Sequence, residues 1–128
     1  MRILLDTHIA LWALTDDARL KSTARQMIEA PGNVVVVSAV SVWEIAIKHA
    51  LGRGDMPISS GEALAYFTEA GYALLAITPE HAAAVEGLPA IHADPFDRLL
   101  VAQALTEPLR LLTHDANVAR YSDTIIQV

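Results

Sequence analysis

Short apolar runs alternate with helical patterns along the whole chain, and this alternation restricts the fold more than any other feature. Strands are predicted at residues 2–5, 34–37, 73–77, 110–112 and 124–127. Runs such as "VVVV" do not alternate in polarity, which is typical of strands that are buried on both faces of a parallel sheet. The helical patterns lie between these runs, at residues 8–14, 18–30, 41–51, 61–70, 79–86 and 95–106.

A strand–helix–strand order at this spacing implies right-handed crossovers and a doubly wound α/β sandwich. We therefore predict three layers, in which helices cover both faces of a short, mostly parallel sheet of four or five strands. The chain has 128 residues and shows no repeat or linker, so we expect one domain over residues 1–128. The loop at residues 52–57 is predicted to be a lid or a surface loop.

The composition excludes several kinds of site. There is no cysteine, so disulfides and thiolate metal sites are excluded. No apolar stretch approaches the roughly 18 residues that a membrane span needs. The first apolar run is short and Asp6 interrupts it, so it does not resemble a signal peptide. We therefore expect a cytoplasmic protein that makes no membrane contact.

Acidic residues are concentrated where a parallel sheet binds its ligands, beyond the carboxyl ends of the strands. Asp6 ends the first strand, and Asp115 follows the fourth. Glu44 is predicted in the first turn of the helix after the second strand. Asp94 and Asp97 open a strongly apolar helix, and their spacing places both on one side of its first turn. The net charge of −6 disfavours a polyanionic partner, but most of this excess comes from these five acids.

Each acid except Asp6 also has a purely structural interpretation. Asp94 before a proline is a good helix N-cap, and Asp97 would then interact favourably with the helix dipole. The spacing of Ser41 and Glu44 matches a capping box. Asp115 could form an Asx-turn. A carboxylate such as Asp6, between a buried strand and an apolar helix, is costly unless a cation or several donors contact it.

Carboxylates that converge on one edge repel one another, and a divalent cation relieves this repulsion. Hard oxygen ligands favour Mg²⁺ or Mn²⁺. An ion held in this way can polarise a phosphate oxygen and activate water. The residues alone leave open whether one ion or two would bind.

Four segments, taken together, resemble the PIN-domain family and, more narrowly, the VapC-type toxins of bacterial toxin–antitoxin systems. They are "LLDTHIALW", "SAVSVWEIAIKHALG", "DPFDRLLVAQAL" and "LLTHDANVARY", in the order that the family shows. The resemblance implies a Mg²⁺- or Mn²⁺-dependent endoribonuclease that cleaves RNA. It also implies a cognate VapB-type antitoxin that reaches into the acidic groove, and a homodimer.

The resemblance also implies roles for individual residues. The catalytic acids of the family fall on Asp6, Glu44, Asp97 and Asp115, and Asp6, Asp97 and Asp115 would be the metal ligands. In a supporting role, Asp94 would cap its helix, and Thr7 and Thr113 would orient a carboxylate or a metal-bound water. Many relatives have an acid or an aromatic residue where this chain has Val118, so a second metal ion has less support.

Three other functions are consistent with parts of the pattern. A response-regulator receiver needs an acidic pair after the first strand and a late lysine, but no lysine follows Lys48. A haloacid-dehalogenase-type phosphatase needs Asp-x-Asp, and His8 replaces its second acid. A non-catalytic binding module with an acidic groove is the third.

The remaining polar and aromatic residues are less informative. His8 or His114 could transfer a proton to the leaving oxygen, and Trp12 and Trp43 are expected in the core or in a dimer contact. Arg98 could pair with a site acid. We expect surface or packing positions for Lys48, Arg53, His49, His81 and His92.

Overall fold

Five parallel strands form one sheet in the order β3-β2-β1-β4-β5 in the computed structural model, which describes residues 1–53 and 56–128. The elements, in chain order, are β1 (Arg2–Leu5), α1 (Thr7–Thr15), α2 (Ser22–Glu29), β2 (Val34–Ser38), α3 (Ala39–Ala50), α4 (Ser60–Glu69), β3 (Ala73–Leu75), α5 (Pro79–Ala84) with a 3₁₀ turn (Val85–Gly87), α6 (Pro95–Thr106), β4 (Arg110–Thr113), α7 (Ala116–Ala119) and β5 (Ile126–Gln127). The α/β fold with a parallel sheet between helices is therefore confirmed.

Both faces of the sheet are covered, as the unbroken apolar runs predicted. Ile3 and Leu5 of β1 face one layer, where they pack with residues of α1, α2, α3 and α4. Leu4 faces the opposite layer and packs with Leu100 and Val101 of α6. Because β1 is the central strand and alternate side chains point to opposite faces, its buried residues join the two cores. Among the described residues, no helix is long and apolar enough to cross a membrane.

Two helix starts differ from the prediction, and local hydrogen bonds explain both. The helix predicted from residue 18 begins at Ser22, because Asp17 forms an Asx-turn in which its carboxylate accepts the Arg19 N–H at 2.9 Å. The helix predicted from residue 41 begins at Ala39, because Ser38 is its N-cap and accepts the Val40 N–H at 3.0 Å. The capping box predicted for Ser41 and Glu44 is therefore wrong.

Shorter differences occur at the other elements. Helix α7 has only four residues, too few for a hydrophobic period, so the sequence pattern does not predict it. Strands β3 and β5 are shorter than predicted. Gly54 and Asp55 of the loop predicted as a lid lie outside the described residues.

Candidate active site

Asp6 lies at the junction of β1 and α1, at the carboxyl edge of the sheet. Its backbone N–H continues the ladder with β4 by donating to the Leu112 carbonyl at 3.0 Å. Its side chain is only 4% exposed, and Oδ2 accepts a hydrogen bond of 2.6 Å from the Thr113 hydroxyl at the end of β4. The adjacent strands therefore fix both the backbone and the carboxylate of Asp6, and Thr113 orients a carboxylate as its position predicted.

Glu44 is buried on α3, with 3% of its surface exposed. It lies in the second turn of the helix and not in the first, because α3 begins at Ala39. Lys48, one turn later, donates to Glu44 Oε2 at 2.5 Å. Glu44 Oε1 is buried and has no hydrogen-bond partner within the described part of the chain. Such an atom is costly unless a ligand satisfies it.

Asp94 and Asp97 open α6, as predicted. Asp94 is the N-cap, and its carboxylate accepts the Asp97 N–H at 3.0 Å. This leaves the Asp97 side chain in the first turn, where the helix dipole favours a negative charge. Asp97 Oδ2 contacts His92 Nε2 at 2.9 Å.

Asp115 is the N-cap of α7, and its two oxygens face different groups. Its Oδ1 accepts the Asn117 and Val118 N–H groups at 2.8 and 3.3 Å. Its Oδ2 lies 3.9 Å from His92 Nε2. The potential ligand atoms of His92, Asp97 and Asp115 all lie within 4.8 Å of one another. The Asx-turn interpretation is thus correct, and the side chain is still directed to the cluster.

Two neighbouring side chains have contacts other than those expected. The Thr7 hydroxyl pairs with the Ser41 hydroxyl at 2.8 Å, so its expected role in orienting a carboxylate or a metal-bound water stays a prediction. Arg98 donates to the backbone carbonyls of Val85, Pro89 and His92 and to the Tyr121 hydroxyl. Both side chains therefore help to build the frame of the site.

His92 and Lys48 lie at the site, although the sequence placed them at surface or packing positions. No local pattern identified His92, since it precedes α6 in an irregular segment. The i, i+4 spacing of Glu44 and Lys48 was a usable signal for an ion pair.

His8 and His114 flank Asp6 together with Trp12. The ring of His114 lies 4.8 Å from that of Trp12, and the two imidazoles are 5.9 Å apart between centroids. Trp12 is a core residue, as expected. Trp43 is 48% exposed and lies edge-on to Phe96 at 4.8 Å, so it is not a core residue, and its alternative role in a dimer contact stays a prediction.

Electrostatic repulsion among the acids is visible in the pKa of Asp97, which is raised to about 7. Burial is the largest cause, and the charges of Asp6, Asp94 and Glu44 add to it, while the hydrogen bond from His92 opposes it. Burial also raises the pKa of Asp6, against the hydrogen bond from Thr113 and the charges of both neighbouring histidines. These mutual effects show that the acids converge at one edge of the sheet.

Lys48 supplies a positive charge beside this cluster. Partial burial disfavours its charged form, but the hydrogen bond to Glu44 and the charges of Glu44, Asp94 and Asp97 together raise the pKa of the ammonium group. The Lys48 ammonium group thus neutralises the Glu44 carboxylate. The other acids have no lysine or arginine ion pair recorded within residues 1–53 and 56–128.

The donor set fits a divalent cation. The cluster offers carboxylate oxygens from Asp6, Glu44, Asp97 and Asp115, which suit Mg²⁺ or Mn²⁺. Glu44 Oε1 is buried and lacks a hydrogen-bond partner among the described residues. The pKa of Asp97 is raised first by burial and then by the negative charges of its neighbours. A bound cation would relieve both of these unfavourable features.

The raised pKa of Asp97 predicts how stability depends on pH without metal. Below about pH 4 the carboxyl is protonated in both states, and as the pH rises toward 7 only the unfolded chain ionises readily. The folded state therefore loses stability over this range, and Asp97→Asn should remove that loss. We expect Asp97→Asn to exceed the wild type in free energy of unfolding by more at pH 8 than at pH 5, measured by urea denaturation in EDTA.

Asp123 is exposed, so Asp123→Asn is the matched control for this measurement. It should show no such pH-dependent difference. An equal gain for Asp97→Asn at both pH values would mean that Asp97 ionises as an ordinary carboxyl group.

Comparison with known proteins agrees with this geometry. The sequence profile of the PIN domain matches residues 3–123. Ribonuclease VapC22 of Mycobacterium tuberculosis is 34% identical over 114 residues, which are 88% of this chain and 86% of that protein.

Two solved structures share the fold over almost their whole length. One is VapBC2 of Rickettsia felis, bound to a DNA fragment from its promoter. Its superposition on this chain has a TM-score of 0.71 at 15% identity, and the aligned part covers 100% of this chain and 98% of the VapBC2 chain. VapC20 of Mycobacterium tuberculosis, described as a toxin that cleaves the sarcin-ricin loop, gives 0.67 at 16% identity with 98% of each chain covered.

Proposed function

Because this chain belongs to the PIN-domain family, we propose that it is a metal-dependent endoribonuclease and the toxin of a toxin–antitoxin pair. The observation that carries the proposal is the convergence of acids at one edge of the sheet. The charges of Asp6 and Glu44 act on Asp97, and Asp115 lies in the same 4.8 Å group as Asp97. The ribonuclease name of the relative at 34% identity supports the same activity.

We assign the metal ligands to Asp6, Asp97 and Asp115, with Mg²⁺ as the preferred biological ion and Mn²⁺ as an alternative. The ion would polarise the scissile phosphate and lower the pKa of water in the site. Thr113 holds the Asp6 carboxylate in place. Asp94 fixes the first turn of α6 and so positions Asp97.

Glu44 is the group that we assign as the proton acceptor. Its Oε2 is paired with Lys48, so the second oxygen remains available to water or to an ion. In the proposed reaction a water oxygen bonds to phosphorus as the bond from phosphorus to the 3′ oxygen breaks. One proton of the water passes to Glu44, and the 3′ oxygen gains a proton as it leaves. The products carry 5′-phosphate and 3′-hydroxyl ends.

The proposed partners follow from the same site. An acidic groove attracts the guanidinium of an arginine, which supports a VapB-type antitoxin that reaches into it. The apolar groove between α3, α4 and β3, which is lined by Val42, Trp43, Leu64, Leu74 and Leu75, supports a homodimer. We place this activity in the cytoplasm, and we assign it to residues 1–128 as one nuclease domain.

Cleavage of a structured RNA with end analysis tests the proposed chemistry. With Mg²⁺ or Mn²⁺ present, we expect fragments that carry 5′-phosphate and 3′-hydroxyl ends, and EDTA should stop their formation. Fragments with 2′,3′-cyclic phosphate ends, or cleavage that persists in EDTA, would contradict the proposal. Metal binding without any cleavage across a panel of RNAs would favour the non-catalytic binding module.

A further inference from the structure

The imidazole of His92 lies among the carboxylates that we assign to the metal. On this basis we propose that His92 is a nitrogen ligand of the divalent ion, and that it makes the site favour Mn²⁺ over Mg²⁺ compared with carboxylates alone. This inference rests on the proposed function, since it concerns the same metal site. It adds a ligand that neither the motifs nor the acidic quartet contains.

The position of the ring supports direct ligation. His92 Nε2 lies 2.9 Å from Asp97 Oδ2 and 3.9 Å from Asp115 Oδ2. One potential ligand atom from each of His92, Asp97 and Asp115 lies within 4.8 Å of the other two. After small side-chain rotations, one ion could contact all three atoms. The same nitrogen would donate to Asp97 without metal and face the ion when metal is bound.

The backbone of His92 is fixed from two sides, which fixes the point from which its side chain starts. Its N–H donates to the Tyr121 hydroxyl at 2.9 Å, and its carbonyl accepts from that hydroxyl at 3.2 Å. Arg98 contacts the same carbonyl at 3.4 Å and also holds Pro89 at 3.0 Å. A residue needed only to fill space would not require this number of anchors. A metal ligand benefits from them, because a rigid frame reduces the entropy lost on binding.

Glu44 provides a second, independent indication that a ligand belongs here. Its Oε1 is buried without a hydrogen-bond partner in the described residues, and the charge of Glu44 acts on Asp97, which His92 contacts. An ion held by His92 and Asp97 would offset the negative charge that Glu44 adds to this part of the site. The donors would then be one imidazole nitrogen and several carboxylate oxygens.

The chemistry of this mixed donor set separates the two ions. Mg²⁺ binds hard oxygen ligands and keeps several of its waters. First-row transition ions accept imidazole nitrogen more readily, and Mn²⁺ also accepts carboxylates. A site that uses His92 should therefore gain affinity for Mn²⁺ much more than for Mg²⁺.

The experiment uses the full chain, with Mn²⁺ as a spectroscopic probe. Electron spin echo envelope modulation of the Mn²⁺ complex should show coupling to a directly bound ¹⁴N in the wild type, and His92→Gln should abolish it. By calorimetry the same variant should lower the ratio of Mn²⁺ to Mg²⁺ affinity by about tenfold, since a change to an outer-shell partner of a metal ligand already lowers metal affinity by about 10- to 100-fold. His114→Gln is the control, and it should retain the ¹⁴N coupling.

Three results would overturn the proposal. The first is an absence of ¹⁴N coupling in the wild type. The second is an equal loss of both affinities in His92→Gln, which would make His92 only a positioning residue for Asp97. The third is tighter binding of both ions in the variant, which would make His92 a competitor that the metal displaces. A thermal melt of the variant in EDTA establishes that it is folded.

The test also separates this inference from the nuclease proposal. Wild-type protein that cleaves RNA but shows no ¹⁴N coupling contradicts the role of His92 alone. Wild-type protein with ¹⁴N coupling that cleaves no RNA contradicts the nuclease proposal and leaves the ligand assignment standing.

Discussion

Replacement of Asp6 with Asn is expected to reduce RNA cleavage by roughly a thousandfold while the protein remains folded. A carboxylate that holds a catalytic ion contributes several kcal/mol to the transition state, and about 4 kcal/mol corresponds to three orders of magnitude in rate. Asn keeps an oxygen that can accept the Thr113 hydroxyl, so the contact between β1 and β4 survives. The rate constant is measured with saturating Mg²⁺ on one structured RNA.

The same variant carries its own test of folding. Burial raises the pKa of Asp6, so the ionised side chain destabilises the metal-free protein at high pH. Asp6→Asn should therefore unfold at an equal or higher urea concentration than the wild type at pH 8 in EDTA. The control Asp123→Asn, at an exposed position, should retain wild-type cleavage. Undiminished turnover in Asp6→Asn would remove Asp6 from the proposed site.

Lys48→Met is expected to lower the free energy of unfolding by about 3 kcal/mol at pH 8 in EDTA. Removal of one partner from a buried ion pair typically costs about 3–5 kcal/mol, because the other charge stays buried without compensation. Glu44 is almost fully buried, but Lys48 is 28% exposed, so we expect a value at the lower end. The measurement is urea denaturation of the metal-free protein.

A double variant and added metal identify the cause of this loss. Lys48→Met combined with Glu44→Gln should recover most of the stability, because no buried charge remains. Mn²⁺ should stabilise Lys48→Met more than the wild type, since the ion then compensates Glu44. If the double variant were as unstable as the single one, the lost packing of the Lys48 side chain would be the cause instead.

Most of the fold was predictable, because its signals are local and strong. The unbroken valines of β2 and the apolar run of β1 are short and β-branched or aliphatic, which favours strands buried on both faces. Asp94 and Pro95 marked the start of α6 at the correct residue. The start of α2 was missed because Asp17 forms a local turn that competes with the helix, and the hydrophobic pattern does not record such competition.

The site was predictable only in part, for a related reason. Asp6 and Asp115 could be placed because topology brings the carboxyl ends of parallel strands together, and Asp97 because Asp94 and Pro95 mark the start of its helix. The contact of His92 with Asp97 depends on the path of an irregular segment that Arg98 and Tyr121 hold. The orientation of Thr7 toward Ser41 depends on packing between α1 and α3. Neither contact can be predicted from the hydrophobic periodicity of the sequence.

The hydrogen bond between Thr113 and Asp6 joins residues 107 positions apart, and this separation bears on when activity can arise during synthesis. A nascent chain on the ribosome that has not yet released β4 lacks both the hydroxyl that holds Asp6 and the later acid Asp115. Such a chain lacks part of the proposed site, so the activity can arise only after β4 and Asp115 have left the ribosome. For the same reason, two halves of the chain split between α3 and α6 would each be harmless, and their reassembly would switch the enzyme on.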